Sequence, residues 1–263
     1  MQNKTLSRRT FLKIIGASTL ALGIAPTMVK AQGEPLRGLV CPIMMYHYIS
    51  APPEDAPRTL RDLTVLPENF VQQLDSIRER GYTTITMRDM WAGMQGTIPL
   101  PEKPIVLTFD DGYWDAFAHA APALLERGMT GTFYLVSSFM EQPGYLTWEQ
   151  ARIMHSQGLE IGGHSATHGD MSRQTRETQE EEIISSTSAI EAQIGVRPVS
   201  FCYPFGRQTY ITREILAEQG YQTAVTTAYA TYHTPRTPYR LGRVRIRHTT
   251  TLTQFSAILD ALH

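Results

Sequence analysis

The chain has 263 residues, 42% of them hydrophobic and 19% charged, with a formal net charge of −1. That length and apolar content suit one large domain or two small ones with an ample core, and argue against a disordered chain or a repeat array. The charge is uneven: Lys4, Arg8, Arg9, Lys13 and Lys30 lie within residues 1–31, which hold no Asp or Glu, and the remainder carries 19 basic against 25 acidic residues. A nucleic-acid binder leans the other way.

In chain order, Ser7-Arg8-Arg9-Thr10-Phe11-Leu12-Lys13 resembles a twin-arginine export signal. An apolar run from Ile14 to Pro26 follows, and Val29-Lys30-Ala31 offers small residues at cleavage positions before Gln32. The run is too short and too lightly apolar for a membrane span. Residues 1–31 are therefore expected to be an export signal, cleaved or anchoring, with the twin-arginine machinery as partner and the periplasm or exterior as destination. Residues 32–263 are expected to form one domain.

Leu39 to Tyr46 reads as a buried strand with His47 at its end. Ser50 to Leu66, with Pro52-Pro53, Pro57 and scattered charge, reads as a long surface loop. Pro67 opens a helix whose Phe70, Leu74 and Ile77 recur at helical spacing, ending near Gly81. A strand over Tyr82 to Thr86 and a short helix over Asp89 to Met94 follow, and Pro99, Pro101 and Pro104 mark a linker. Ile105 to Phe109 is a buried strand delivering Asp110 and Asp111 to its tip.

Beyond it the chain alternates. Helices are expected over Trp114–Arg127, Thr147–Gln157, Arg176–Ile194, Thr212–Gln219 and Thr251–Leu262. Strands are expected over Thr130–Val136, Leu159–Gly162, Val199–Tyr203, Tyr221–Thr227 and Leu241–Ile246. Such alternation argues βα units in a parallel sheet or barrel. His47, Asp110, Asp111, His164 and Tyr203 to Gly206 each sit just past a strand end, where barrel active sites converge.

The chemistry follows from residue types. Neighbouring carboxylates at a strand tip can point apart, one toward a metal and one toward water. His164 and His168, four apart on a helical turn, face one side, and Gly162-Gly163 lets the backbone approach closely beforehand. No Glu follows the first His, so the helical zinc-protease motif is absent, and Gly112 stands where a haloacid-dehalogenase-type phosphatase needs its second Asp. Ser165 and Thr167 suit loop orientation. Phe201-Cys202-Tyr203-Pro204-Phe205-Gly206 suits the aromatic wall of a sugar groove. Arg243, Arg245 and Arg247 alternate on one side of the last strand, with Arg243 in reach of the carboxylates. Cys41 and Cys202, without a CxxC, read as two buried free thiols.

Thr108-Phe109-Asp110-Asp111-Gly112, His164-Ser165-Ala166-Thr167-His168 and Tyr203-Pro204-Phe205-Gly206 together resemble the polysaccharide deacetylase family, the NodB-homology domain of carbohydrate esterase family 4. The resemblance covers roughly residues 39–250, with the metal-site core over about 103–250. It implies a distorted (β/α) barrel and metal-dependent removal of acetyl groups from N-acetylated, sometimes O-acetylated, sugars. By that resemblance Asp110 is the general base, and Asp111, His164 and His168 hold a divalent metal, Zn²⁺ by ligand type. Phe205 lends a backbone N–H to the oxyanion. The family's Leu-x-His motif has no C-terminal match, whereas Met45-Tyr46-His47 matches in type near the N-terminus. That order resembles the permuted branch of poly-β-1,6-N-acetylglucosamine deacetylases and makes His47 the general acid.

Two positions depart from the pattern. Cys202 replaces the Arg that normally holds the base carboxylate, with Arg243 as the substitute. The Asp/Trp motif of the acetyl pocket is not recognisable, with Trp114 and Trp148 as stand-ins. The expected partner is a carbohydrate polymer: poly-N-acetylglucosamine or chitin-like oligomers. The other readings are a non-catalytic glycan binder on the same scaffold, and a metal hydrolase of another small N-acyl or O-acyl substrate.

Overall fold

The computed structural model describes residues 38–262, so the expected export signal in residues 1–31 lies outside the described residues. In chain order come β1 (Leu39–Val40), β2 (Ile43–Tyr46), β3 (Tyr48–Ile49), α1 (Arg58–Leu63), β4 (Thr64–Val65), α2 (Pro67–Glu79), β5 (Thr83–Ile85), α3 (Met87–Met94) and β6 (Pro104–Phe109). A π-helical turn, Ala116–Ala120, runs into α4 (Ala121–Leu125), followed by β7 (Thr132–Leu135), α5 (Trp148–Ser156), β8 (Glu160–Gly163) and α6 (Arg176–Ile194). The chain closes with β9 (Ser200–Cys202), α7 (Tyr210–Glu218), β10 (Thr223–Val225), β11 (Tyr232–His233), β12 (Val244–Arg245) and α8 (Leu252–Asp260).

One parallel sheet organises the molecule, in the order β10-β9-β8-β7-β6-β2-β12, with β5 pairing the first half of β6. Its ends curl toward each other. Leu241 bridges Val225 in parallel, and three residues later Val244 pairs with Met44 on the opposite flank. The result is the distorted (β/α) barrel expected from the sequence. The segment from Leu241 to Arg245 is the seam, and Arg243 sits in it.

Alternation along β6 explains why both faces are dry. Ile105, Leu107 and Phe109 face one core with α2, α5 and α8, while Val106 faces a second core with Ile43, Met90, Tyr134 and Cys202. A strand buried on both sides reads as a continuous apolar run. Thr108, on the second face, satisfies its hydroxyl on the Met44 carbonyl at 2.7 Å.

Capping explains where the helices start. Thr86, Thr147, Thr209 and Thr251 each accept from the amide three residues on, and each is answered by the side chain at that position. Helix α6 spans the residues expected. The segment over Ser50–Leu66 is not a plain loop: it holds α1 and β4, the latter paired with β3. Pro104 lies in β6 rather than in a linker, tolerated as the first strand residue. The expected helix does start at Trp114; it passes through the π-turn over Ala116–Ala120 and ends with α4 at Leu125, two residues before the expected Arg127. Among the described residues no helix is long and apolar enough to cross a membrane.

Candidate active site

The carboxyl ends of β2, β6, β8 and β9 converge on a cavity of about 270 Å³. His47, Asp110, Asp111, His164, His168, Tyr203, Phe205 and Arg243 line it. Every residue singled out from the sequence as catalytic or metal-binding is in that lining.

Asp110 and Asp111 are adjacent but differently wired. Arg243 grips Asp110 with two parallel bonds, Nη1 to Oδ1 at 2.7 Å and Nη2 to Oδ2 at 2.8 Å. The guanidinium also donates to the Thr226 carbonyl, the Thr108 hydroxyl and Cys202 Sγ. It is 1% exposed. Burial alone would raise the Asp110 pKa; the Arg243 charge outweighs it and holds the carboxyl below its ordinary value. Arg243 thus stands on the carboxylate, where the resemblance places the Arg that Cys202 replaces. Arg245 and Arg247 instead share Asp62 at the rim.

Asp111 meets two imidazoles. Its Oδ1 lies 3.1 Å from His164 Nε2 and 3.2 Å from His168 Nε2. Burial raises its pKa, and the bonds to both histidines pull it well below the ordinary range. His164 Nδ1 lies 2.7 Å from the Cys202 carbonyl, which can only accept. Nδ1 therefore donates to that carbonyl; Nε2 donates to Asp111 while no cation is bound, and a cation would take the Nε2 lone pair in place of that proton. Two imidazole nitrogens and one carboxylate oxygen converging this way fit a divalent cation, with the carbonyl fixing the ring tautomer from behind.

The two histidines do not lie on a helical turn as the spacing implied. They flank a loop in which Ser165 (φ 65°) and His168 (φ 62°) are left-handed. The Ser165 hydroxyl takes the His168 amide at 2.9 Å, and Thr167 donates amide and hydroxyl to Glu182 of α6. Gly162 and Gly163 permit the approach: a Cβ on Gly162 would stand 2.5 Å from the Tyr134 ring, and one on Gly163 2.5 Å from the Tyr221 hydroxyl. Glu182 was missed from sequence; its only signal is an acid on the inward side of α6.

Phe205 is left-handed too (φ 58°), in the turn after β9, with its ring 4.7 Å from that of His168. Of the five non-glycine residues with positive φ among the described residues, four are in this site: Asp111, Ser165, His168 and Phe205. Such conformations persist where the surroundings over-determine them, and they cluster at functional sites.

His47 places Nε2 3.9 Å from Asp110 Oδ2, and its Nδ1 is buried without a partner. Burial lowers its pKa below the ordinary value, against the pull of the two carboxylates. Trp114 and Trp148, the sequence's stand-ins for an acetyl pocket, do not line this cavity. Its further apolar surface comes from Leu63, hidden from sequence reading in the misread loop. Cys41 and Cys202 are both buried and unpaired, as expected.

A parallel sheet curled into a barrel, with an arginine-paired carboxylate beside an Asp-His-His set that fits a divalent cation at its carboxyl end, has the makings of a metal-dependent hydrolase. Residues 97–224 match the sequence model of the polysaccharide deacetylase family. That stretch is a polysaccharide deacetylase domain, of the NodB type of carbohydrate esterase family 4. It is 27% identical over 221 residues to "Putative polysaccharide deacetylase YxkH" of Bacillus subtilis (strain 168), covering 84% of this chain and 76% of that one. It is 24% identical over 211 residues to the poly-β-1,6-N-acetyl-D-glucosamine N-deacetylase of Escherichia coli (strain K12), covering 64% of this chain and 31% of that protein's length. Among solved structures, BC0361, a polysaccharide deacetylase from Bacillus cereus, superposes with a TM-score of 0.74 at 28% identity, over 84% of this chain and 69% of that one.

Proposed function

We propose that this chain is an exported, zinc-dependent N-deacetylase of poly-N-acetylglucosamine. The observation that carries the reading is the split wiring of the carboxylate pair. Asp110 is kept ionised by Arg243, and Asp111 is presented with His164 and His168 to a cation.

Asp111, His164 and His168 would hold the metal. When bound, it supplies Lewis-acid polarisation of the acetyl carbonyl and a lowered pKa for water. Asp110 accepts the proton of the attacking water; the Arg243 fork holds its carboxylate in one orientation and leaves each oxygen a free lone pair. The Phe205 N–H donates to the carbonyl oxygen as it gains charge. His47, its imidazolium made more acidic by burial, delivers a proton to the departing amine.

The β-1,6-linked polymer is preferred because the curated relative from Escherichia coli is named for it, and because His47 lies at the N-terminal strand rather than the C-terminal one. Residues 1–31 are read as the export signal and 32–263 as the catalytic domain. The non-catalytic alternative drew on the missing Arg at position 202, and Arg243 removes that motive.

Acetate release from β-1,6- and β-1,4-linked N-acetylglucosamine oligomers, with chelator and with added Zn²⁺, tests the proposal. Chelator-sensitive release, faster from the β-1,6 series, is expected. No release from either series with metal bound overturns it. Export is tested separately: Arg8→Lys with Arg9→Lys should leave the protein in the cytoplasm.

A further inference from the structure

A second cavity, of about 480 Å³, is lined by Tyr48, Ser50, Tyr113, Trp114, Asp115 and His119. Tyr113 in its wall touches Asp111, which lines the catalytic cavity. The Tyr113 hydroxyl is hydrogen-bonded to Asp111 and Tyr48. A run of ring contacts continues from Tyr113 through Tyr145, Phe139 and His168 to Phe205.

The walls are aromatic. Tyr48 and Tyr113 stack at 3.7 Å. The Trp114 amide donates to the Gly144 carbonyl at 2.9 Å, which fixes the backbone while the indole stays 49% exposed. Below them Asp115 is 6% exposed. Ser50 and the amides of Ile49 and Ala116 serve its carboxyl group, and His119 stands nearby, but its Oδ1 has no hydrogen-bond partner. Burial pushes its pKa up to about 6. No Lys or Arg lines the cavity. A buried carboxylate oxygen without a donor carries a desolvation cost that an incoming N–H removes.

Aromatic faces over an under-satisfied carboxylate form the recognition set for a cationic sugar. The apolar face of a pyranose lies on the rings, and an ammonium group meets both π-face and carboxylate. An acetamido group has no charge to offer. We propose that this cavity is a subsite for a free-amine sugar, a glucosamine residue of the same polymer produced by an earlier turnover. The inference rests on the deacetylase reading above. Its consequence is a pattern: each amine released becomes a ligand beside the catalytic cavity, so new deacetylation is directed to sugars near old ones.

The test uses the full chain with zinc and Asp110→Asn, so that no ligand is consumed. It is titrated calorimetrically with β-1,6-linked glucosamine trimer and, separately, with the N-acetylated trimer. Adding Asp115→Asn is expected to weaken the free-amine trimer about tenfold and the N-acetylated trimer less than about twofold, the signature of a lost charge pair. Trp114→Ala, at a half-exposed position, is expected to fold and to weaken both, and serves if Asp115→Asn misfolds. The subsite is overturned if the free-amine trimer does not bind, if neither substitution weakens it, or if Asp115→Asn weakens both trimers alike. Binding needs no turnover, so failure here is distinct from failure to release acetate.

Discussion

Asp110 and Glu160 are both buried carboxylates, 4% and 6% exposed, at opposite ends of the same sheet. Asp110 follows the last residue of β6, and Glu160 is the first residue of β8. Glu160 accepts from the Thr132 hydroxyl at 2.8 Å, from Ser200, and from the Arg88 amide in the first turn of α3. Burial outweighs these neutral donors and raises its pKa. Asp110 has the same burial but a guanidinium on both oxygens, and its pKa falls. Burial is shared; the partner decides the charge. The catalytic end keeps an anion ready, while the far end uses a carboxyl group as a cap.

The largest break in that comparison is Arg243→Ala. It leaves Asp110 buried without its cation, and the expected cost is about 3–5 kcal/mol of stability together with loss of turnover. The urea midpoint and acetate release measure both. Arg243→Lys keeps the charge but not the fork, and should recover stability better than rate.

Next in size are changes that separate Asp110 from its neighbour. Asp110→Asn should retain bound metal and lose turnover, whereas His164→Ala should lose both; metal stoichiometry after dialysis with acetate release decides. Full activity in Asp110→Asn removes it as the base. Chelation of the wild type should lower the melting temperature by several degrees, since a ligand present at a hundred times its dissociation constant contributes about 2.7 kcal/mol. Chelation of His164→Ala should change nothing.

The smallest effect is at Glu160. Its folded pKa is raised, so its contribution is fully present below the ordinary value of 4.5 and is lost as pH rises through the folded value. Glu160→Gln should therefore flatten the decline in stability above about pH 4.5. Urea unfolding from pH 4 to 8 shows it; parallel slopes for variant and wild type would mean Glu160 is not the titrating group.

Much of this was legible along the chain. Apolar runs located β2, β6 and β7, and Thr147 and Thr251 announced their helices, because caps and periodicity are local. The ligand residues were legible as types just past strand ends. The Ser50–Leu66 segment was misread because α1 is only six residues long and no residue in it is fully buried, so it leaves no amphipathic stripe. The two histidines were set on a helical turn because spacing alone cannot distinguish a helix from a loop with two left-handed residues.

By itself the sequence carried the alternation of strands and helices and the candidate residues Asp110, Asp111, His164, His168, His47 and Phe205, which the structure brings to one cavity. The tertiary structure decided that Arg243, 133 positions from Asp110 and offered by the sequence only as a candidate, closes the seam with a two-bond grip on Asp110, that Glu182 orients the histidine loop, and that Trp114 lines a second cavity. Strand, cap and turn preferences act between neighbours and leave a trace in the order of residues. A salt bridge across the seam depends on how the sheet closes, and the chain order holds no record of that distance.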